Sequence, residues 1–299
     1  MKSLKVGLCG WRRLQSFYPP RTRPADMLAY YSQHFPLVEI STTFQGIPSS
    51  DRVREWATSV EPGFTFDVVA FGGLTLHQLR PGASPSSAKS SWTDLAVEPP
   101  EVIFDAFTES ISPLVEDDLL GLVILQFPPW FEAGEPGLDY LARCRSEFNG
   151  MRLAVEFRNG TWMEPADRLE ATLERLIDLE IALSASDFPD AGDLAPELAA
   201  HVSVAEFGAM RLHGRAAGAW DRVGPGGDYA TEYSYSDDDL NALVSVLQSL
   251  DAEVDELHVS FNVAPADRAV ESSQRLLELI DEAEREPDYT RWRPPHDLT

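Results

Sequence analysis

Charged and polar residues with the chemistry of proton transfer and anion binding recur along segments rich in β-forming residues: Glu39 in LVEI, Glu156 and Arg158 in LAVEFR, Arg211 and His213 in MRLH, and Asn262 in HVSFN. Strand side chains alternate between faces, so Glu156 shares a face with Arg158 and Arg211 shares one with His213. Val38, Ile40, Val155, Phe157, Met210, Leu212, Val259 and Phe261 take the opposite face. Two carboxyls brought together divide into an acid, kept protonated by its neighbour, and a base or nucleophile. An imidazole shuttles protons near neutrality, and an arginine fork grips a carboxylate or phosphate. Glu39, Glu156, His213 and Asp187 are therefore the candidate catalytic residues, and Trp11, Gln126, Arg158, Arg211 and Asn262 the candidate substrate-binding ones. The competing reading is that each glutamate only neutralises an arginine inside the fold, as buried charges must be paired.

The elements that must position these residues alternate. Strand-like segments run from Val6 to Trp11, Leu37 to Phe44, Phe64 to Ala70, Leu122 to Phe127, Arg152 to Arg158, Ile181 to Ser186, Phe207 to His213 and Glu256 to Asn262. Helical patterns separate nearly all of them. Pro24 is placed to open the first helix and Ser50 to cap the second; the third, in PPEVIFDAFTESISPLVEDDLL, is expected to break near Pro113; and the sixth is expected around PELAAHVSVAEF. Strand and helix alternating in this way predict a single-domain α/β protein, a TIM-like (β/α)₈ barrel over residues 1–286 with an irregular tail over 287–299. Functional groups on such barrels gather at the carboxyl ends of the strands. Three long connections are expected on that face, and the third, with Trp220, Tyr229, Tyr233 and Tyr235, has the aromatic content of a lid.

The 299 residues carry 49 acidic against 24 basic side chains, a formal charge of -25, and Lys2, Lys5 and Lys89 are the only lysines. Such a surface repels phosphate backbones and anionic lipids, which argues against nucleic acid and membrane partners and for a small-molecule ligand. It also suits a cytosol of concentrated salt, and a halophilic origin is the corresponding hypothesis. No apolar run approaches bilayer-spanning length and the amino terminus does not read as a signal peptide, so a cytoplasmic protein is expected. Cys9 and Cys144 lack metal-ligand spacing and are expected to be reduced thiols. No cofactor is expected. A divalent cation held by Glu39, Glu156, Asp187 and His213 ranks below direct arginine clamping, because the adjacent arginines repel it.

Several motifs in order, GLCGW, Phe17-Tyr18-Pro19, YYSQHFPLVEISTTFQGIP, LGLVILQFPPWF, AVEFRNGTW, ASDFP, MRLHGR and FNV, resemble those of the YecE-like family, domain of unknown function 72. The resemblance runs from about Val6 to the last helix and implies a TIM-like barrel without supplying an activity. Val69, Asn159 and Val263 stand where the family more often has lysine, histidine and asparagine. From the residues themselves, the leading expectation is an enzyme, a hydrolase, lyase or isomerase, acting on a small polar or anionic metabolite, with a sugar derivative as one substrate class. The alternative is a non-catalytic ligand-binding barrel whose interior charges are structural ion pairs.

Overall fold

The computed structural model of the chain describes residues 1, 3–14, 16–83, 91–188, 200–216 and 231–285. Strands β1 (Leu4–Cys9), β2 (Leu37–Ile40), β3 (Thr65–Val69), β4 (Leu120–Gln126), β5 (Leu153–Glu156), β6 (Ile181–Asp187), β7 (Phe207–Leu212) and β8 (Glu256–Phe261) form one closed barrel in sequence order. Every neighbouring pair is parallel, and the register Leu4 to Leu257 through Leu8 to Phe261 joins the last strand to the first. This is the TIM-like (β/α)₈ architecture the alternation predicts. β1 and β2 approach closely at Gly7, where a Cβ would lie 2.1 Å from the Leu37 carbonyl oxygen.

Helices α1 (Met27–Ser32), α2 (Ser50–Ala57), α3 (Glu101–Glu116), α4 (Glu135–Glu147), α5 (Ala166–Asp178), α6 (Asp237–Glu253) and α7 (Ala266–Arg285) lie between or after the strands. The outer faces of the strands, with Val38, Ile40, Val155, Phe157, Met210, Leu212, Val259 and Phe261, join one apolar core with Phe104, Phe107, Leu141, Leu243 and Leu276 of the helices. A second, smaller apolar cluster contains Val69, Leu122, Ile124, Ala154, Ala182, Phe207 and Ala209. These share the parity of Glu156, Arg211 and Gln126, so the inward faces carry an apolar layer below those polar residues. Burial of the two apolar layers removes them from water and supplies the main driving force for closing the barrel.

Several local expectations differ from the structure. The second strand ends at Ile40, four residues before Phe44, and Thr42–Gln45 form a helical turn, so Ser41 and Thr43 do not continue the inward face. The Thr43 hydroxyl instead donates to the Ile40 and Val69 carbonyls, fastening that turn to β3. α1 begins at Met27 after Asp26, leaving Pro24 outside it. Ser49 rather than Ser50 caps α2, its side chain accepting from the Arg52 amide. α3 runs unbroken through Pro113, which lies in its last turn. Residues 200–206 are not helical, and the rest of the expected sixth helix lies outside the described residues, as do Trp220, Tyr229 and the tail. Among the described residues no helix is long and apolar enough to cross a membrane.

Candidate functional site

Arg211, near the end of β7, projects into the barrel among groups from three other strands. Its Nε donates to Glu39 Oε2 at 2.9 Å and its Nη2 to Glu39 Oε1 at 2.6 Å, a two-pronged grip on the carboxylate at the end of β2. Nη1 donates to Gln126 Oε1 at 3.0 Å, on the last residue of β4, and to Glu156 Oε2, on the last residue of β5. Glu39 Oε2 also accepts from the Ser260 hydroxyl of β8 at 2.6 Å. Glu39 and Glu156, 0% exposed, and Arg211, 2% exposed, thus form a buried acid–base–acid chain across the barrel.

Glu156 is the most heavily partnered carboxylate. Besides Arg211, its oxygens take Arg158 Nε at 2.7 Å, His213 Nε2 at 2.9 Å and the Ser186 hydroxyl at 3.3 Å. Burial on its own would raise its pKa, but the charges of Arg211 and Arg158 and the bond to His213 outweigh it and hold Glu156 well below the usual carboxylate range. Burial likewise opposes ionisation of Glu39, and Arg211 overcomes it, so that carboxyl too is held below its ordinary value. The expected division into one protonated and one ionised carboxyl is therefore not what the surroundings favour: a guanidinium lies between the two and stabilises both as anions. Glu39, Glu156, Asp187 and His213 do not make a metal-holding cluster, and no such cluster occurs among the described residues.

His213 follows β7. The Asn262 amide nitrogen lies 3.2 Å from His213 Nδ1, so Nδ1 accepts and Nε2 carries the hydrogen donated to Glu156. Burial lowers the pKa of His213 more than Glu156 raises it, keeping the ring neutral at pH 7. Phe188 stacks on the ring at 5.1 Å and 6°, and the Arg158 guanidinium carbon lies 5.8 Å from the same phenyl centroid.

The remaining candidates separate. Asp187 accepts from Arg215 Nε at 2.8 Å and the Tyr235 hydroxyl at 2.7 Å, while its backbone carbonyl accepts from the His213 amide at 3.0 Å. It therefore braces the chain around His213 rather than joining the central pair. Arg215 also reaches Asp239 at 3.2 Å and so bridges two carboxylates. The Trp11 ring packs edge-on against Trp56 of α2 at 5.5 Å, as part of the main apolar core. Trp162 stacks on Phe157 at 4.2 Å and donates from Nε1 to the Phe131 carbonyl at 2.7 Å, so it belongs to the outer apolar core.

Two groups lie outside the candidate residues. Asp67 on β3 binds His258 of β8 at 2.9 Å, and His258 Nε2 reaches Glu256 at 2.9 Å. This second buried relay lies lower in the barrel. Its lower end borders a cleft of about 370 Å³ lined by Lys5, Thr65, Gly121, Arg152 and Glu256. Alternation in TFDVV signals Asp67 as inward once the strand is recognised. His77, in the connection after β3, is buried against Phe44 and Trp130. No periodicity marks it.

Comparison with known proteins places the chain in a family. A family model described as protein of unknown function DUF72 matches residues 5–297. The chain belongs to the DUF72 family. A relative, the UPF0759 protein YunF of Bacillus subtilis, is 29% identical over 279 residues, spanning 92% of this chain and 94% of that protein. The crystal structure of a DUF72 family protein from Enterococcus faecalis is similar with a TM-score of 0.78 at 24% identity, covering 93% of this chain and 95% of that one. One from Thermotoga maritima has a TM-score of 0.76 at 24% identity, with 93% and 99% covered. The DUF72 barrel is thus the family's fold, and these relatives name no reaction.

Proposed function

We propose that this DUF72 protein is an enzyme that moves a proton on a small polar, anionic metabolite, with His213 as the base, Glu156 as the group that holds and charges it, and Arg158 with Arg211 offsetting the charges of Glu39 and Glu156 so that the site does not repel the substrate. The observation that carries this reading is the carboxylate-backed imidazole: Glu156 Oε2 at 2.9 Å from His213 Nε2, with Nδ1 left as the acceptor. A proton taken up at Nδ1 makes an imidazolium whose charge Glu156, already ionised, stabilises at once. Asn262 Nδ2, at 3.2 Å, marks where a substrate donor would approach, because it already supplies a hydrogen to that nitrogen. Both glutamates being held as anions favours isomerase or lyase chemistry over a two-carboxylate hydrolysis, which needs a protonated acid.

The structural alternative is favoured by one observation: Glu39, Glu156 and Arg211 satisfy one another inside the barrel. The two readings separate experimentally. Incubation of the protein in D₂O with pools of hydroxycarboxylic acids, sugar acids and sugar phosphates, followed by mass spectrometry, should show deuterium entering, or turnover of, one pool. His213→Asn, folded by circular dichroism, should reduce that signal by about 100-fold or more. Absence of exchange and turnover in every pool, for a protein folded at its preferred salt concentration, would leave the ion pairs as scaffold.

A further inference from the structure

His77 occupies a built position that the proton-transfer reading does not use. Its neighbours come from the carboxyl ends of successive strands: Phe44 after β2, edge-on at 4.7 Å, and Trp130 after β4, at 5.9 Å. The chain that carries it is pinned on every side. The Gly72 amide donates to the Phe44 carbonyl at 2.9 Å, the His77 amide to the Gly72 carbonyl at 2.9 Å, Tyr140 Oη to the Leu74 carbonyl at 2.9 Å and Trp130 Nε1 to the Leu76 carbonyl at 3.2 Å. Leu76, immediately before it, is held at φ 64°, a left-handed conformation unfavourable for leucine. Strain of this kind persists only where surrounding contacts impose it, and it concentrates at ligand sites.

Within this frame the ring has two unequal ends. In the Nδ1–H tautomer the ring donates to the Thr75 hydroxyl, 3.1 Å away, which can turn its own hydrogen toward the Gly72 carbonyl at 3.5 Å. Nε2 is then a bare acceptor. It is buried and finds no hydrogen-bond partner among the described residues, although the residue as a whole is 9% exposed. Buried polar atoms are seldom left unmatched, and a water, an ion or a ligand group usually supplies the missing partner. Burial first, and the nearby Arg158 charge second, push the ring's pKa down to about 3, partly offset by the Thr75 and Gly72 carbonyls and by Glu156. The ring therefore stays neutral and its Nε2 lone pair remains available.

We propose that His77 Nε2 accepts a hydrogen bond from a hydroxyl group of the ligand, so that the substrate class is a hydroxylated anion such as a hydroxycarboxylate or sugar acid. This deepens the proton-transfer reading and rests on its anionic substrate. The probes are glycolate and acetate, which differ by one hydroxyl, titrated into ¹⁵N-histidine-labelled full-length protein at constant KCl. Glycolate should bind at least about 5-fold more tightly than acetate and shift the His77 Nε2 resonance. His77→Phe, which keeps a ring against Phe44 and Trp130, should abolish the preference while leaving acetate binding within about 2-fold. Equal affinities for the two anions in the parent protein, or an undiminished preference in His77→Phe, would overturn the assignment while leaving the anionic site intact. If neither anion binds, the anionic reading fails, and unfolding decides on the histidine. Because His77→Phe also removes the Nδ1 bond to Thr75, the comparison is made in a Thr75→Val background: a vacant Nε2 acceptor makes His77→Phe at least as stable there, whereas a lowered unfolding midpoint in that background would show that the protein itself uses Nε2 and would overturn the proposal.

Discussion

Replacing Arg211 by methionine tests whether the two glutamates depend on the cation between them. The variant retains much of the aliphatic volume and removes every donor. Glu156 keeps Arg158 at 2.7 Å and His213 at 2.9 Å, whereas Glu39 is left with the Ser260 hydroxyl at 2.6 Å. The cost therefore falls mainly on Glu39, and breaking a buried pair from one side destabilises by about 3–5 kcal/mol. Adding Glu39→Gln should recover about 2 kcal/mol or more of that loss, a coupling expected of residues in direct contact. The pH dependence has a definite sign. In the parent, both carboxyls have pKa values lowered from 4.5, so their stabilisation is in place above about pH 4.5 and is lost as pH falls through the folded values. In Arg211→Met, burial without the cation raises the Glu39 value instead, so protonation in acid relieves the variant. The deficit, measured from urea midpoints by circular dichroism at fixed KCl, should be largest at pH 7 and shrink towards pH 4.5. A deficit below about 1 kcal/mol, or one unchanged by both acid and Glu39→Gln, would refute the reasoning.

Burial lowers the pKa of His258, but Asp67 and Glu256 more than offset it and raise the value from 6.5 to about 9, so roughly 3 kcal/mol of stability, fully present below pH 6.5, should be lost as pH rises through 9; thermal midpoints of His258→Gln should lack this slope. Gly7→Ala should unfold the protein or lower its midpoint sharply, since the added Cβ meets the Leu37 carbonyl oxygen at 2.1 Å and only separation of β1 from β2 relieves it; an unchanged midpoint would show that the pair does not lie this close. With a formal charge of -25, the unfolding midpoint should rise with KCl, and full stability at low salt would reject the halophilic hypothesis.

Much of the barrel is legible along the chain because its causes are local. Alternation in LAVE and MRL assigns one face to Val155, Met210 and Leu212 and the other to Glu156 and Arg211, and closure cannot interchange the faces without burying the charges in the helical layer. The ends of elements were less legible. Thr42–Gln45 contain β-formers yet turn into a helix because the Thr43 hydroxyl finds two carbonyls, one of them on β3. Pro113 sits inside the last turn of α3 without breaking it, which no propensity reveals.

The sequence by itself determined which residue types face inward and that acids and arginines would share that interior, since face and hydrophobicity follow from the two-residue repeat of a strand. Only the tertiary structure decided who pairs with whom. Glu39 and Arg211, 172 residues apart, meet through barrel closure, and that meeting turns an expected acid–base couple of carboxyls into two anions sharing a guanidinium. His77 shows the same limit from the other side: its place beside the site depends on turns, aromatic neighbours and the strained Leu76 that come together only when β2, β3 and β4 are adjacent. Charge interactions depend on distance through space, and distance along the chain does not encode it.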